Sequence, residues 1–293
     1  MRTLILGSSG KIGKHFIKDN KTNIYTYNKN KIKNGVKFNI KKDNIEKLIN
    51  KFSIKKVVIL SAISDTDYCY VNKKKSYILN VLSTKKIIDK LVEQKIYFIF
   101  FSTEMVYSGK NKNYNENSLA KPSNVYGKQK LAIEKYIKRK TNNYSIFRVG
   151  KTYSDEKNSK DIFSSFFSSI KKKNFIFMGA TDQKFNPIYV KDMVKITNYF
   201  LKKKIKGIYN VAGPKTYTRY QCLNILKKEL PIKLRNQTVI HKVKMGDLKF
   251  IEKRPLNLAL QIKKLKKVYK YPITPIEKVA KNIKKKFNEK YFN

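Results

Sequence analysis

Three spaced glycines directly after a short apolar run constrain the fold of this chain most. The stretch LILGSSGKIGKHFI (residues 4–17) places Gly7, Gly10 and Gly13 behind a predicted strand and at the start of a predicted helix. Glycines at this spacing permit a tight turn, close approach of the backbone to a pyrophosphate and close helix packing. The helix N-terminus offers unpaired N–H groups to phosphate oxygens. We therefore predict a dinucleotide-binding turn, with a purely structural turn as the alternative, formed by Gly7, Ser9, Gly10, Lys11, Ile12 and Gly13.

The first half of the chain alternates short apolar runs with segments of helix length. Within residues 76–94, apolar side chains follow a helical repeat. Such alternation is typical of a parallel sheet covered by helices on both faces. We predict an α/β fold for residues 1–150, a Rossmann-type doubly wound parallel sheet that binds NAD(P). Its predicted strands are TLIL (3–6), NIYTY (23–27), VKFNI (36–40), KVVIL (56–60), YFIFF (97–101) and YSIFR (144–148).

The regular alternation weakens in the second half, which is predicted to be a smaller C-terminal α/β lobe that binds the substrate (residues 151–293). The polar stretch 152–161 is predicted to be a loop, GIYNV (207–211) a strand, and residues 276–287 an amphipathic helix. One segment, around 186–212, is predicted to return to the sheet of the first domain.

The charge is strongly positive: 67 Lys and Arg against 20 Asp and Glu give a formal net charge of +47. Such a balance ordinarily indicates nucleic acid or an anionic membrane as a partner. However, only six of the 67 are Arg, whereas nucleic-acid readers favour Arg for bidentate contacts. We therefore expect no nucleic-acid partner and interpret the lysines as a solvated surface whose field speeds encounter with an anionic substrate.

Neither a membrane nor a metal is expected. The apolar run at the N-terminus is much shorter than the core of a signal peptide, and no stretch is long enough to span a bilayer. A cytoplasmic protein is predicted. Two cysteines (Cys69, Cys222) and two histidines (His15, His241) are too few and too isolated for a disulfide framework, a zinc site or a His-based triad.

The residues after the second predicted strand bear on the choice of cofactor. An NAD-binding site usually has an Asp or Glu there, which accepts hydrogen bonds from the ribose hydroxyls. This chain has Asn28 and Lys29 and no carboxylate in the stretch TYNKNKIK. A lysine favours the 2′-phosphate of NADP. We therefore predict NADPH as the cofactor, bound in part by Asn28 and Lys29, with NADH as the alternative.

Tyr126 and Lys130 are four positions apart in a predicted helix, so they share one face of it. A neighbouring ammonium would stabilise the phenolate and lower the pKa of the tyrosine. The same spacing occurs by chance at Tyr199 and Lys203 in this Tyr- and Lys-rich chain. Ser102 and Thr103 directly follow the fifth predicted strand, at the edge where open α/β sheets bind ligands, and a hydroxyl there can donate to a substrate carbonyl.

Together these motifs resemble the extended short-chain dehydrogenase/reductases, and within them the dTDP-4-dehydrorhamnose reductase family. The matching segments are GSSGKIG, STEMVYSG, PSNVYGKQKLAIE, TDQKFNPIYVKDM, GIYNVAGP and RPLNLAL. The resemblance implies that Thr103 is the catalytic hydroxyl, Tyr126 the general acid, and Lys130 the lysine that also holds the nicotinamide ribose. Tyr126 and Lys130 are both predicted to bind the cofactor. Substrate contacts are predicted for Ser102, Thr103, Glu104 and Arg254, the arginine contacting the diphosphate or, alternatively, being a surface residue.

The resemblance implies a reductase. Related dehydratases carry Thr-Asp-Glu, but this chain has Met105 in place of the Glu, which disfavours dehydration. The predicted reaction is NADPH-dependent reduction of the C4 ketone of a nucleotide-linked 4-keto-6-deoxysugar, in deoxysugar and cell-surface polysaccharide biosynthesis. In the loop at 181–193, the glycine and threonine that the family usually has are replaced by Phe185 and Ile188, so the sugar is left open.

Three alternatives to the reductase remain at this stage. An NAD(P)-dependent nucleotide-sugar epimerase would use the same Thr, Tyr and Lys. A non-catalytic NADP-binding protein could regulate a partner, although retention of all three side chains disfavours it. Nucleic-acid binding rests on charge alone. A homodimer is also left open.

Overall fold

The computed structural model describes residues 2–20, 22–111, 113–156 and 161–282. In chain order the strands are β1 (Arg2–Leu6), β2 (Ile24–Tyr27), β3 (Val36–Lys37), β4 (Ile54–Ile59), β5 (Tyr97–Thr103), β6 (Tyr144–Val149), β7 (Thr152–Tyr153), β8 (Ile176–Ala180), β9 (Lys184–Phe185), β10 (Ile188–Tyr189), β11 (Gly207–Val211), β12 (Tyr217–Thr218), β13 (Val239–Val243) and β14 (Asn257–Leu258). The α-helices are α1 (Gly13–Asp19), α2 (Ile45–Phe52), α3 (Thr66–Val71), α4 (Lys73–Tyr77), α5 (Thr84–Glu93), α6 (Val125–Lys140), α7 (Ile162–Lys171), α8 (Val190–Lys203), α9 (Arg219–Lys228), α10 (Ile232–Gln237) and α11 (Lys263–Val268). A π-helical turn (Ile78–Ser83) joins α4 to α5, and 3-10 turns lie at Glu104–Val106 and Met245–Asp247.

A seven-stranded sheet in the order β3-β2-β1-β4-β5-β6-β11 forms the centre of the fold. The pairs from β3 across to β6 are parallel. Parallel neighbours need helical crossovers, which cover both faces of the sheet. All seven residues of β5 are accordingly buried. The predicted α/β fold, a Rossmann-type doubly wound sheet, is confirmed.

The chain folds as two compact units whose segments alternate along the sequence. The first unit comprises Met1–Ser108, Ser118–Val149 and Val194–Tyr209, and the second comprises Gly109–Asn117, Gly150–Met193 and Asn210–Asn293. Of the segment around 186–212, β11 joins the seven-stranded sheet, whereas β10 pairs with β7.

The core of the first unit is built by apolar residues that alternate along its strands and repeat along its helices. On one face of the sheet, Phe98, Phe100 and Ile146 pack with Ile133 and Ile137 of α6. Strand side chains alternate between faces and helical ones recur every three or four residues, so these positions meet. This packing holds α6 against β5 and β6.

The second unit contains small sheets and a cluster of aromatic side chains. β7 pairs with β10, β13 pairs with β8, and β12, β9 and β14 form a three-stranded sheet. The rings of Tyr153 and Phe163 stack with centroids 4.4 Å apart, and Phe166 lies 4.6 Å from Phe177. Asp161 caps α7, since its carboxylate accepts from the backbone N–H groups of Phe163 and Ser164.

A buried asparagine ties three segments of the second unit together. The Asn210 side chain donates to the carbonyls of Tyr114 (2.9 Å) and Gln261 (3.2 Å), and its backbone N–H donates to Glu116 Oε1 (2.9 Å). Asn210 is completely buried. These bonds hold the segment Gly109–Asn117 within the second unit.

Asn210→Ala is expected to destabilise the protein by about 2–4 kcal/mol, because two buried carbonyls lose their donor. Urea unfolding followed by circular dichroism measures the change. The matched control is Asn224→Ala, since that side chain makes a local bond to Tyr220 O within α9. An equal, small decrease in the free energy of unfolding for both substitutions would contradict this role of the Asn210 hydrogen bonds.

Two predictions about the second half differ from the structure or extend past its described part. Thr152 and Tyr153, placed in a loop, form β7, because they pair in parallel with Ile188 and Tyr189. The predicted helix at 276–287 is helical from 276 to 282, and its remainder lies outside the described residues. Within the described part of the chain, no helix is long and apolar enough to cross a bilayer.

Candidate active site

The glycine turn after β1 has the geometry that its sequence predicted. Gly7 has a φ of +88°, in the left-handed region that favours glycine. A Cβ on Gly7 would lie 2.8 Å from Ser61 Oγ, and one on Gly13 would lie 2.4 Å from Ser8 Cα. Gly7 therefore makes the turn, and Gly13 allows α1 to start close against β1.

Gly10 has a different surrounding, which fits a dinucleotide. It is exposed, and a Cβ there would meet only Gly7 O at 3.2 Å. The backbone at Gly10 is thus open on the side where a phosphate would approach. Ile12 precedes α1 and has no side-chain oxygen to cap the helix. At the start of α1 the N–H groups of Lys14 and His15 donate to the carbonyls of Gly10 and Ile12. The residues present fit the pyrophosphate of a nicotinamide dinucleotide.

Two hydroxyls that the sequence analysis missed fasten this turn to β2. Thr26 Oγ1 accepts from Gly7 N (3.1 Å), and the Ser8 hydroxyl donates to Ile5 O (2.8 Å). Ser8 N also donates to Thr26 O (2.9 Å). No motif in the sequence marks Thr26, because it acts through a neighbouring strand. Asn28 and Lys29 follow directly after β2 and are exposed, at the same edge of the sheet as the turn.

Thr103 ends β5 and begins the 3-10 turn Glu104–Val106. Its Oγ1 accepts from Met105 N (3.2 Å), which caps the turn, and the residue is buried. A hydroxyl that accepts through a lone pair can still donate its hydrogen to another group. The structure therefore holds the Thr103 hydroxyl in one place at the carboxyl edge of the sheet.

The first turn of α6 packs directly against the 3-10 turn that follows Thr103. Asn124 caps α6 by accepting from Gly127 N (2.7 Å). A Cβ on Gly127 would lie 2.2 Å from Met105 O, so only glycine permits this approach. The contact brings Tyr126, the residue before Gly127, to the end of β5, where Thr103 lies.

Lys130 lies one turn after Tyr126 and is almost fully buried. Its Nζ donates to Phe101 O (2.7 Å) and lies 5.9 Å from the centre of the Tyr126 ring. Burial lowers the pKa of Lys130 to about 7, although the nearby Glu134 carboxylate opposes this shift. Thr103, Tyr126 and Lys130 are thus gathered between the end of β5 and the start of α6.

Burial raises the pKa of Tyr126 above its ordinary value, and Cys69 adds to the rise. The residue spacing predicted that Lys130 would lower it. That prediction is wrong, because burial of the phenol sets the direction of the shift, while the Lys130 ammonium is engaged with Phe101 O. A raised pKa keeps Tyr126 protonated at neutral pH, as a proton donor requires.

Ser102 and Glu104, predicted to contact the substrate, are both buried in the first unit. The Ser102 hydroxyl donates to Glu134 Oε1 (2.5 Å), so its hydrogen is used within the protein. Glu134 also forms an ion pair with Arg148 at 2.7 Å. Neither Glu134 nor Arg148 was among the predicted site residues.

Asn80 lies in the π-helical turn and holds the loop after β4. Its Oδ1 accepts from Ile63 N (2.8 Å), and its Nδ2 donates to Ile63 O (2.9 Å) and to Gln129 Oε1 (2.8 Å). Gln129 Nε2 in turn donates to Ser76 Oγ (2.9 Å). A π-helical turn often marks a functional position. Here the π-helical turn directs the Asn80 side chain, which connects the loop after β4 to Gln129, the residue before Lys130.

Arg254 belongs to the second unit, where its guanidinium lies 4.6 Å from the centre of the Phe250 ring and donates to Glu252 O. A cavity of about 350 Å³ in the same unit is lined by Phe166, Phe177, Phe250 and Arg219, among others. Burial lowers the pKa of Arg219. Arg219 is a cation that the sequence analysis did not consider. Within the described residues no group of three or more His, Cys, Asp or Glu could hold a metal ion.

A doubly wound sheet with a glycine turn after β1, and with the Tyr and Lys pair on α6, defines an NAD(P)H-dependent oxidoreductase of the extended short-chain dehydrogenase/reductase class. The chain belongs to the family described as the RmlD substrate binding domain, which matches residues 1–289.

Three relatives are 18–25% identical to this chain over the matched regions. The chain is 25% identical over 232 residues to "Methionine adenosyltransferase 2 subunit beta" of Xenopus tropicalis. The matched region covers 75% of this chain and 69% of the relative. The chain is 22% identical over 252 residues to the dTDP-4-dehydrorhamnose reductase of Aggregatibacter actinomycetemcomitans, covering 83% and 85%. Among solved structures, the dTDP-4-dehydrorhamnose reductase of Bacillus anthracis in complex with NADP shares the fold with a TM-score of 0.82 and 18% identity, covering 96% of this chain and 98% of that one.

Proposed function

We propose that this protein reduces the C4 ketone of a nucleotide-linked 4-keto-6-deoxysugar with NADPH. The observation that carries the proposal is the placement of Thr103, Tyr126 and Lys130 between the end of β5 and the first turns of α6. The glycine turn opens at the same edge of the sheet, since carboxyl ends of parallel strands share one edge. A reductase of this family needs these groups together.

Each side chain has a role that its surroundings support. Bound NADPH supplies the hydride. Tyr126 gives its proton to the forming alkoxide, and its raised pKa means that the phenol carries that proton at neutral pH. Thr103 donates a hydrogen bond to the same oxygen. Lys130 holds the nicotinamide ribose and, when protonated, supports the tyrosine electrostatically.

The second unit offers groups suited to a nucleotide. Aromatic rings of the cavity described above can stack with a base, while guanidinium groups suit the two phosphates because their donors match phosphate oxygens. Arg219 lines that cavity, and Arg254 lies over Phe250, another of its lining residues. We propose that this cavity binds a nucleotide, with its two phosphates held by Arg219 and Arg254.

The test is to mix the purified protein with NADPH and a panel of nucleotide 4-keto-6-deoxysugars and to follow cofactor absorbance. We expect oxidation of NADPH with at least one member, and a product reduced at C4. No oxidation with any member would refute the reductase. Interconversion of a sugar without net oxidation of the cofactor would instead identify an epimerase.

A second candidate is an NADP-binding subunit of another enzyme, and the likeness to methionine adenosyltransferase 2 subunit beta favours it. Binding of NADPH without turnover of any sugar, together with co-purification of a partner enzyme, would support this alternative. The alternative gives no reason for Tyr126 to be held beside Thr103.

NADPH preference is proposed from Lys29, which is exposed directly after β2. Lys29→Glu is expected to lower the affinity for NADPH relative to NADH by about tenfold or more, since a charge-assisted bond to the 2′-phosphate is worth about 1.5–3 kcal/mol. Fluorescence titration with both cofactors measures this ratio. Lys55→Glu makes the same charge change at the start of β4, the opposite end of the sheet, and should leave the ratio unchanged. Equal effects of the two variants would contradict the role of Lys29.

A further inference from the structure

We propose that Glu134, locked to Arg148, is a positioning residue that holds Lys130 against β5 and keeps its ammonium charged. The inference rests on the proposed function in one respect, namely that Lys130 acts in its protonated form. It assigns a role to the two buried ionic side chains that the proposed reaction leaves unused.

The pair is buried and fixed in geometry. Arg148 donates to Glu134 through Nη2 (2.7 Å) and Nε (3.1 Å), and the side chains are 6% and 1% exposed. A bidentate pair of this kind allows one relative orientation. Buried ion pairs add little net stability compared with apolar side chains. The pair of Glu134 and Arg148 is therefore expected to have a role other than stability.

Glu134 is connected to Lys130 through β5 as well as through α6. Lys130 and Glu134 are one turn apart on α6, on the same face. Ser102, which donates to Glu134, directly follows Phe101, whose carbonyl accepts from Lys130. One turn of α6 is therefore fastened to two consecutive residues of β5, one bond from Glu134 and one from Lys130.

The arginine side of the pair is anchored to the strand and turn that position Thr103. Ser102 and Arg148 are register partners on β5 and β6, so their side chains lie on the same face of the sheet. Arg148 Nη1 donates to Tyr107 OH (2.8 Å), and Tyr107 follows the 3-10 turn that begins at Thr103. The pair thus links α6, β5, β6 and this turn.

Groups from α3, α6 and β5 surround Lys130, and Arg148 of β6 lies behind Glu134. Burial disfavours the ammonium, and the Glu134 carboxylate on the same helix and the Cys69 thiol on α3 act in the opposite direction. Tyr126 lies on the preceding turn of α6, and Phe100 and Phe101 of β5 contribute a ring and a carbonyl. Arg148, on β6, is held by Glu134 and by Tyr107. Glu134 is therefore the one carboxylate among these groups.

The two substitutions are expected to shift the pKa of Lys130 in opposite directions. Lys130 is charged below its pKa and loses its proton as the pH rises through it. Glu134→Gln removes a group that raises this pKa and leaves the Arg148 cation uncompensated, so Lys130 should lose its proton at lower pH. Arg148→Gln removes the cation and leaves the carboxylate, so the proton should be lost at higher pH. The double variant should lie between the two.

An NMR titration of the full chain with carbon-13 labelled lysine measures the Lys130 pKa without cofactor or sugar. The resonance missing in Lys130→Met identifies Lys130. We expect its midpoint to fall by about 1 pH unit in Glu134→Gln and to rise in Arg148→Gln, as a nearby charge shifts a pKa by about 1–3 units. Glu46→Gln is the matched control and should leave the midpoint unchanged, because Glu46 pairs with Lys90 on the surface.

Two outcomes overturn the inference: midpoints unchanged in both pair variants, or shifts of the same sign in both. If Glu134→Gln does not fold, Arg148→Gln still tests the coupling with the opposite sign. A second readout is NADPH affinity against pH, whose decline at high pH should begin about 1 unit lower in Glu134→Gln. Because the titration needs no substrate, its failure is distinct from a failure to reduce any sugar.

Discussion

Tyr126→Phe is expected to lower kcat by about 10²- to 10⁴-fold, the usual worth of a positioned proton donor. The phenylalanine ring fills the same buried space on α6 and removes only the hydroxyl, so affinity for NADPH should change little. Steady-state kinetics with the sugar identified in the panel, together with fluorescence titration of NADPH, separates the two effects.

Tyr136→Phe is the matched control, since Tyr136 lies on the same helix and its hydroxyl donates to Asp89 (2.5 Å). It should retain full activity. Full activity of Tyr126→Phe would remove the proton-donor role, and loss of NADPH binding in that variant would point to a structural role instead.

Gly127→Ala is expected to lower both stability and kcat, because it displaces α6 from the turn after Thr103. The added Cβ would lie 2.2 Å from Met105 O, a backbone atom, so α6 and the turn after Thr103 must separate. Overpacking of this kind costs about 1–3 kcal/mol of stability. Displacement of a catalytic group by about 1 Å can cost about 10²-fold in rate. We therefore expect a lower midpoint of unfolding and a loss of kcat larger than the loss of stability would explain.

The control for this glycine is Gly246→Ala, because a Cβ at Gly246 would meet nothing within 4 Å. Thermal unfolding and kcat should both remain as in the parent protein. If Gly127→Ala behaved like Gly246→Ala, the close approach of α6 would not be required for activity.

Much of the first unit follows from local sequence. The apolar runs at 3–6, 56–60 and 97–101 became β1, β4 and β5, because a buried parallel strand needs an uninterrupted apolar run. GIYNV became β11 with the predicted bounds. The glycine turn was predictable because its requirements, a left-handed φ and close backbone approach, leave a local trace in residue type.

The supporting network of the site could not be predicted in this way. No local sequence signal distinguishes Glu134 or Arg148, and their side chains come into contact only because α6 packs against β6. Gly127 carries no turn signal, since its need arises from Met105 in another segment. The direction of the Tyr126 pKa also depends on burial, which the residue spacing does not reveal. These properties belong to contacts between elements distant in sequence.

The alternation of the two units along the chain also bears on how the protein is made. β11, with residues up to Tyr209, completes the sheet of the first unit, so the ribosome must synthesise all of Gly150–Met193, a segment of the second unit, before that sheet can close. Until then β6 is an open edge, and unpaired edges of apolar strands invite aggregation. A nascent chain halted near residue 150 should therefore engage chaperones, and the cofactor-binding unit should reach protease resistance only after β11 has left the ribosome.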